Sequence, residues 1–264
     1  MVQQRPDGTL ELVNDEAFVI VKAAPRRSEK YGETVCCAAL DTAGNWVRLY
    51  PVSFRQLADA QRFKRWDHIR YRWSKPKLSQ DKRSESRRVD PNSIEILNEL
   101  RAADRNPLLQ RCVVTSLVKE FEAGRSLALL KAEILKFWCE PRSEDDIKKE
   151  DQLLVQMRAQ NDLFAPTAPL PTGSCPYSFK YRFRDDDGVH EGTCQDWETE
   201  QTFLKRRREL GNDQDALDWM MKMFGVTYPN KGMALAMGTH RYRAEQWLIN
   251  GIVRLDAVPQ LSLL

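Results

Sequence analysis

Runs of apolar residues predict a β-rich start to the chain. Residues 17–23 are almost uniformly apolar, which is typical of a buried strand. Residues 34–40 and 46–52 flank a short loop that contains Gly and Asn, two residues that accept a positive φ. We therefore predict a hairpin with a short loop from these two segments.

A second type of strand is predicted in the segment WDHIRYRW, where apolar and basic side chains alternate. Ile69, Tyr71 and Trp73 fall on one face, and Arg70 and Arg72 fall on the other. The aromatic face is therefore expected to lie in a core and the arginine face outside it.

The middle of the chain predicts more helix. Residues 107–130 are predicted to be helical with a break near Gly124, residues 133–140 return as a strand, and a helical pattern then runs to residue 160. Residues 165–176 hold four prolines and one glycine, a composition typical of a linker or an ordered loop crossing.

After this segment the chain returns to alternating strands. Residues 177–184 and 189–194 predict two strands around a turn, and Asp196 can cap a helix that ends near Leu210. Two closing strands are predicted at residues 233–237 and 246–255.

These elements predict a mixed α+β fold in two parts. The first is an N-terminal domain at residues 15–164, which contains a basic segment and a helical insertion. Residues 165–176 form the linker, and residues 177–258 form a C-terminal α+β domain.

The overall charge says little about partners, because 264 residues carry a net charge of only +3. The polar N-terminus lacks the apolar core of a secretory signal, and no window approaches the roughly 18 apolar residues of a membrane span. We therefore expect a cytoplasmic protein that does not associate with a membrane.

Positive charge is instead concentrated in one segment. Between Arg62 and Arg88, eleven Lys or Arg residues face three carboxylates, which gives this segment a charge of +8. Such clustering suits a phosphate backbone, and the aromatic residues between the cations suit base stacking. The alternative is a solvated face with core aromatics behind it.

Two further segments combine basic and polar side chains. One is the predicted strand at 177–184, and the other is the connection that begins at Gly238, where a backbone without a side chain lets a ligand approach closely. The alternative for the second segment is an ordinary basic hairpin loop. The nucleic-acid-binding candidates are Arg48, Arg70, Arg72, Lys180, Arg182, Arg184, Thr239, Arg241 and Arg243.

The strongest catalytic candidates are Asp196 and Glu198, with His240 as a third group. Two carboxylates at a strand-to-helix junction could bind Mg²⁺ in a nuclease, or one could act as a general base in a glycosylase. The alternative is that Asp196 caps the helix and Glu198 is an acid in its first turn. Apart from Mg²⁺ in a nuclease, no cofactor is expected. The cysteine spacing does not predict a metal site, and the sequence has no Walker loop and no Rossmann glycine pattern.

Several motifs resemble bacterial proteins with a dual OB-fold domain. They are Glu33-Thr34-Val35-Cys36, Trp46-Val47-Arg48-Leu49-Tyr50-Pro51, Phe179-Lys180-Tyr181-Arg182-Phe183, Asp196-Trp197-Glu198, Gly238-Thr239-His240 and Trp247-Leu248-Ile249. The resemblance implies two small OB-like β-barrel halves and, through them, DNA or RNA binding. It also implies genes near mobile elements and antiphage-defence systems, and therefore a role in antiviral defence or genome maintenance.

Three hypotheses follow for the function. The first is a module that binds DNA or RNA with Arg70, Arg72, Lys180 and Arg182 along a shared groove. The second is an enzyme acting on nucleic acid, a glycosylase or a metal-dependent nuclease. The third is a protein-interaction subunit whose partner is encoded in the same defence or mobile-element operon.

Overall fold

The computed structural model describes residues 12–24, 26–28, 32–54, 57–79, 81–162 and 174–255. The strands are β1 (Val13–Lys22), β2 (Arg26–Ser28), β3 (Gly32–Asp41), β4 (Trp46–Val52), β5 (Asp67–Ser74), β6 (Ser86–Glu99), β7 (Val113–Val114), β8 (Leu127–Leu130), β9 (Glu133–Pro141), β10 (Tyr177–Asp185), β11 (Gly188–Cys194), β12 (Met233–Thr239) and β13 (Trp247–Arg254). The helices are α1 (Ala102–Gln110), α2 (Leu117–Glu122), α3 (Glu144–Asp162), α4 (Trp197–Leu210), α5 (Asp213–Lys222) and α6 (Tyr228–Lys231). The predicted α+β class is confirmed.

The first half folds into a closed five-stranded barrel. Its strands pair in the order β1, β5, β6, β4, β3, and a further β1–β3 pairing closes the circle. The β4–β6 pair is parallel, whereas the other pairs of the barrel are antiparallel. The predicted β3–β4 hairpin is confirmed, and its loop is held by Asp41, whose carboxylate accepts hydrogen bonds from the backbone N–H of Ala43 and Asn45.

The apolar run that predicted β1 is buried on both of its faces. Ala17 and Val19 lie inside the barrel, whereas Ile20 and Val21 pack in a separate core outside it. A strand buried on both faces has no need of polar alternation. On β5 the prediction of one core face is also confirmed, because Ile69 and Tyr71 are fully buried.

The second half is a seven-stranded sheet in the order β7, β8, β12, β13, β11, β10, β9. Helices α4 and α5 contribute to the core on one side of it, with Phe203 and Met220 fully buried. The predicted capping role of Asp196 is confirmed, since its carboxylate accepts a hydrogen bond from the backbone N–H of Glu198. Gly211 ends α4 with a φ of 82°, a conformation that costs glycine little.

The helix predicted for residues 107–130 is wrong in two places. Val113–Val114 forms strand β7 between α1 and α2. Leu127–Leu130 forms strand β8, and its four residues are buried. A short apolar run does not distinguish a buried strand from a buried helix segment. Here the ladder between β8 and β12 decides the structure, and it joins residues about one hundred positions apart.

The two sheets divide the chain before the segment predicted to be a linker. Strands β7, β8 and β9 lie in the second sheet, although the predicted N-terminal domain of 15–164 includes them. Most of the predicted linker, residues 165–173, lies outside the described residues. Composition marks chain breaks but carries no information on which distant strands pair.

The barrel and the second sheet share a core of their own. Ile20, Leu40 and Trp66 from the barrel pack with Leu129 and Ala234 from the second sheet, and all five are buried. Strand β13 packs against β1, and a Cβ on Gly251 of β13 would lie 2.5 Å from Val21 Cγ1 of β1. Within the described part of the chain, no helix combines the length and apolarity that crossing a membrane requires.

Candidate functional site

A cleft of about 430 Å³ lies where the barrel meets the second sheet. The barrel contributes side chains from β3 and β4, from the loop before β6 and from the start of β6. The second half contributes the β11–α4 junction, β13 and the turn that follows β12. A cleft of this size is within the usual range for small-molecule sites, roughly 300–1,000 Å³.

The cleft is strongly cationic. Its described lining contains five arginines and one carboxylate, that of Asp81. The arginines are Arg48, Arg83, Arg87, Arg88 and Arg241.

Two of these arginines tie the two halves together. Arg83 donates from Nε and Nη2 to Asp81, at 2.9 and 2.8 Å, and from Nη1 to the carbonyl oxygen of Thr239 at 2.8 Å. Burial alone would raise the pKa of Asp81, but its bonds and charge interaction with Arg83 outweigh burial and lower that pKa. Arg48 donates from Nη2 to the carbonyl oxygen of Ser126 at 2.9 Å.

The other three arginines make fewer hydrogen bonds and ion pairs with described residues. Arg87 packs over the ring of Trp73 at 4.0 Å and donates from Nη1 to the carbonyl oxygen of Ser84. Arg88 and Arg241 make no side-chain hydrogen bond or ion pair with any described residue. Their guanidinium groups therefore remain available for an anion, for which the arginine fork is well suited.

A buried hydroxyl also lines the cleft without a partner. Thr239 is 4% exposed, and its Oγ1 makes no hydrogen bond among the described residues. Leaving a buried polar group unpaired costs about 1–3 kcal/mol. A polar ligand in the cleft would supply the hydrogen bond that this hydroxyl lacks.

The uncharged part of the lining differs in character. Gln195 and Asn250 bring side-chain amides, and Tyr50, Pro51 and Leu248 bring apolar surface. Neither amide is hydrogen-bonded within the described structure. A side-chain amide offers both donors and an acceptor, the combination that a base edge presents in return.

Residues 110–263 match the family described as "Domain of unknown function (DUF8757)". The chain belongs to this family. Residues 13–113 match "Domain of unknown function (DUF8758)". A comparison with curated proteins gives no match.

The two matched segments correspond to the two sheets. The DUF8758 segment contains the barrel, and the DUF8757 segment contains every strand of the second sheet. The cleft draws Arg88 from the first segment and Arg241, Gln195 and Asn250 from the second. It is therefore a feature of the two segments together.

The predicted catalytic carboxylates lie elsewhere, in a buried ionic cluster between the same two segments. Asp196 and Glu198 are 2% and 6% exposed, and both face Arg65, which is 2% exposed. Arg65 Nη2 lies 3.3 Å from Asp196 Oδ2, and Arg65 Nε lies 3.1 Å from Glu198 Oε2. Lys22, also buried, donates from Nζ to the carbonyl oxygen of Phe63.

Burial dominates the electrostatics of this cluster. It raises the pKa of Asp196 to about 6, aided by the neighbouring Glu198 and opposed by Arg65. Burial also lowers the pKa of Lys22. The residue after Arg65, Trp66, has a φ of 75°, which is unusual for a bulky residue. Its backbone N–H donates a hydrogen bond to the carbonyl oxygen of Val19. The cluster therefore forms a structural contact between the two halves of the chain.

His240 is the one predicted catalytic residue that lines the cleft. Its Nδ1 accepts a hydrogen bond from the backbone N–H of Tyr242 at 3.2 Å. Asp196 and Glu198 are not among the residues that line the cleft, so the structure does not bring the three together there. Within the described residues, no group of three His, Cys, Asp or Glu side chains is arranged to hold a metal ion.

The predicted nucleic-acid-binding residues separate into two groups. Arg48, Thr239 and Arg241 line the cleft, and Arg243 is exposed in the same turn. The others lie outside the cleft lining, and each is paired with at least one carboxylate. These pairs are Arg70 with Glu16 and Glu95, Arg72 with Asp90, Lys180 with Glu140, Arg182 with Glu191, and Arg184 with Glu133.

The sequence prediction missed Arg83, Arg87 and Arg88 as individual site residues. All three belong to the basic segment that the charge count singled out. Gln195 and Asn250 were also missed, and no sequence signal distinguishes them from other amides. Their place in the cleft follows from the packing of β13 against the end of β1.

Proposed function

We propose that this protein binds nucleic acid, with the sugar-phosphate backbone held in the arginine-lined cleft. The observation that carries the proposal is the state of Arg88 and Arg241. Both line the cleft, and neither has a carboxylate partner among the described residues. Unpaired arginines on a concave surface suit phosphate oxygens, since guanidinium groups bind phosphate in a bidentate manner.

The number of barrel strands and the position of the cleft on them support an OB-type interpretation of the first half. The described barrel has five strands, and the cleft lies against the second and third of them, β3 and β4. Its rim includes Ala24, after the first strand, and Arg83, between the fourth and fifth. In OB folds the same face and the corresponding loops bind oligonucleotides.

The paired cations elsewhere weaken the shared-groove hypothesis. Arg72 and Arg182 each lie within 4 Å of a carboxylate, at 2.8 and 3.6 Å. A phosphate would have to compete with these carboxylates. Binding through the cleft needs no such exchange at Arg88 and Arg241.

The test is a fluorescence-anisotropy titration of the full chain with labelled single-stranded DNA, single-stranded RNA and duplex DNA at two salt concentrations. We expect single strands to bind more weakly as salt rises, because phosphate contacts release counterions. The double variant Arg88→Ala/Arg241→Ala should bind about tenfold or more weakly. Its plot of log K against log salt should flatten by about 0.7 for each phosphate that the variant no longer neutralises.

A matched control is the double variant Arg72→Ala/Arg182→Ala, which removes the same charge from outside the cleft. It should bind as the unchanged protein does. If this control loses affinity and the cleft variant does not, the binding surface is the one predicted from sequence. Affinity that does not change with salt, for every nucleic acid tested, would contradict the proposal.

A further inference from the structure

We infer that the cleft receives a single phosphorylated nucleoside unit, with its phosphate on the arginines and its base edge on Gln195 and Asn250. This inference rests on the proposed function and names its ligand. The unit could be a free nucleotide or the phosphorylated end of a strand, since both present the same chemistry to the cleft.

The first argument is size. A groove that follows a strand covers about 4–16 nucleotides per OB fold. The cleft, at about 430 Å³, is near the lower end of the range for small-molecule sites. It therefore suits one nucleotide rather than an internal stretch of strand.

The second argument is the distribution of chemistry along the lining. Arg87 and Arg88 are consecutive in β6, and Arg88 lies opposite Tyr50 in the β4–β6 ladder. The amides come from other elements. Gln195 lies between β11 and α4, where its carbonyl oxygen accepts a hydrogen bond from the backbone N–H of Ala24, and Asn250 lies in β13. The cleft thus presents arginines and side-chain amides that come from different elements of the fold.

The third argument is that an isolated phosphate would leave much of this lining unused. Arginines alone would satisfy phosphate, yet the cleft also has two unpaired amides and the unpaired hydroxyl of Thr239. Its apolar surface includes Tyr50 and Leu248. Donors, acceptors and apolar surface in one cleft suit a sugar and a base in addition to phosphate.

The turn after β12 supplies the rim on the third side. Tyr242 is 79% exposed, and the guanidinium of Arg241 lies 5.0 Å from the centre of its ring. An exposed aromatic ring beside an arginine offers a stacking surface for a base that enters or leaves the cleft.

The experiment is competition on the full chain. A labelled single strand is bound first, and AMP, GMP, CMP, UMP, adenosine and inorganic phosphate are each added as competitors. We expect at least one nucleoside monophosphate to displace the strand about tenfold better than adenosine or inorganic phosphate. The same strand carrying a 5′-phosphate or a 5′-hydroxyl separates the two sources, because only a strand-end site favours the phosphorylated strand.

Two variants test the contribution of an arginine and the contribution of an amide separately. Arg241 lies in an exposed turn. Arg241→Ala should weaken the binding of nucleoside monophosphates and of inorganic phosphate by the same factor. Asn250→Ala should weaken the binding of nucleoside monophosphates about three- to tenfold, because one or two hydrogen bonds are lost. The binding of inorganic phosphate should not change. Thermal unfolding of each variant confirms that it is folded.

The outcomes separate this inference from the proposed function. If strands bind through Arg88 and Arg241 but no mononucleotide competes and the 5′-phosphate has no effect, the inference is wrong and the proposed function stands. Equal competition by inorganic phosphate and nucleoside monophosphates also overturns it, because the base then plays no part. If mononucleotides bind directly but no strand does, the ligand class is right and the proposed function is wrong.

Discussion

Arg65 and Asp196 are 131 positions apart in the chain, yet their side chains form an ion pair of 3.3 Å with only 2% of each exposed. Arg65 also donates from Nη1 to the carbonyl oxygen of Ile252 at 2.6 Å, and Asp196 accepts from the N–H of the same residue at 3.1 Å. One residue of β13 is therefore held by both partners. The pair joins the barrel, the start of α4 and the second sheet at one point.

Removing Arg65 should destabilise the whole protein. Arg65→Met leaves Asp196 and Glu198 buried without the arginine that pairs with both of them, and breaking a buried pair from one side costs about 3–5 kcal/mol. The free energy of unfolding, measured by urea titration, should fall by this amount. Arg70→Met, which removes an exposed arginine of the same barrel, is the control and should have little effect. Similar losses in both variants would contradict the structural role of the cluster.

The same cluster predicts a dependence of stability on pH. Because the pKa of Asp196 is raised to about 6 in the folded protein, the folded state keeps a proton that the unfolded chain releases near pH 4. Its contribution to stability is therefore fully present below pH 4 and is lost as the pH rises to about 6.

The measurement is the free energy of unfolding of the unchanged protein and of Asp196→Asn between pH 4 and pH 7. The advantage of the unchanged protein over the variant should shrink as the pH rises through this window. An advantage that grows instead would mean that Arg65 lowers the pKa of Asp196 more than burial raises it. Asp196→Asn should leave nucleotide binding in the cleft unchanged once both proteins are folded.

At Gly251, where β13 packs against β1, we expect stability to be sensitive to the size of the side chain. A Cβ at this position would lie 2.5 Å from Cγ1 and 2.8 Å from Cγ2 of Val21. Val21 is β-branched and has little freedom to move away. Gly251→Ala should therefore destabilise the protein by about 1–3 kcal/mol.

Gly192→Ala is the matched control for this substitution. Its added Cβ would meet the flexible end of Ile249, with Cδ1 at 3.1 Å, so the expected loss is smaller. Thermal unfolding of both variants gives the comparison. If Gly251→Ala is tolerated as well as Gly192→Ala, the close approach of β13 to β1 is not a constraint on the fold.

Gly238 predicts an effect on the cleft instead. A Cβ here would overlap Nδ2 of Asn250 and lie 3.3 Å from Nη2 of Arg48. The amide of Asn250 can rotate away, so Gly238→Ala should remain folded and displace this group from its place in the cleft. We expect nucleoside monophosphates to bind about three- to tenfold more weakly, measured by competition. Unchanged affinity in the folded variant would show that the Asn250 amide does not contact the ligand.

Much of the local structure was predictable because local signals determine it. The β3–β4 hairpin follows from its turn residues, and α4 follows from its cap at Asp196 and its stop at Gly211. Leu127–Leu130 could not be assigned from its own residues, since its conformation depends on pairing with β12. The same dependence explains why β7–β9 lie in the second sheet.

The cleft was less accessible to sequence reasoning than the fold. The charge count found the segment that contains Arg83, Arg87 and Arg88, but it could not rank them against Arg70 and Arg72. What separates these cations is whether the folded chain gives each a carboxylate, and that depends on tertiary contacts. Asp196 and Glu198 were predicted to be catalytic for the same reason. Their burial against Arg65 depends on tertiary contacts, which the order of residues along the chain does not show.

The closure of the barrel by the β1–β3 pair also bears on how the chain avoids aggregation. A strand at the edge of a sheet exposes backbone groups that another molecule can extend, and closing the barrel removes such edges from its strands. In the described part of the second sheet, the edge strands are β7, which has two residues, and β9, which carries Glu133, Lys136 and Glu140 and ends at Pro141. A very short edge and a charged one both discourage intermolecular strand pairing. In the first sheet the described edge strand outside the barrel is β2, which has three residues. The strands that the structure describes thereby offer few templates for fibril growth.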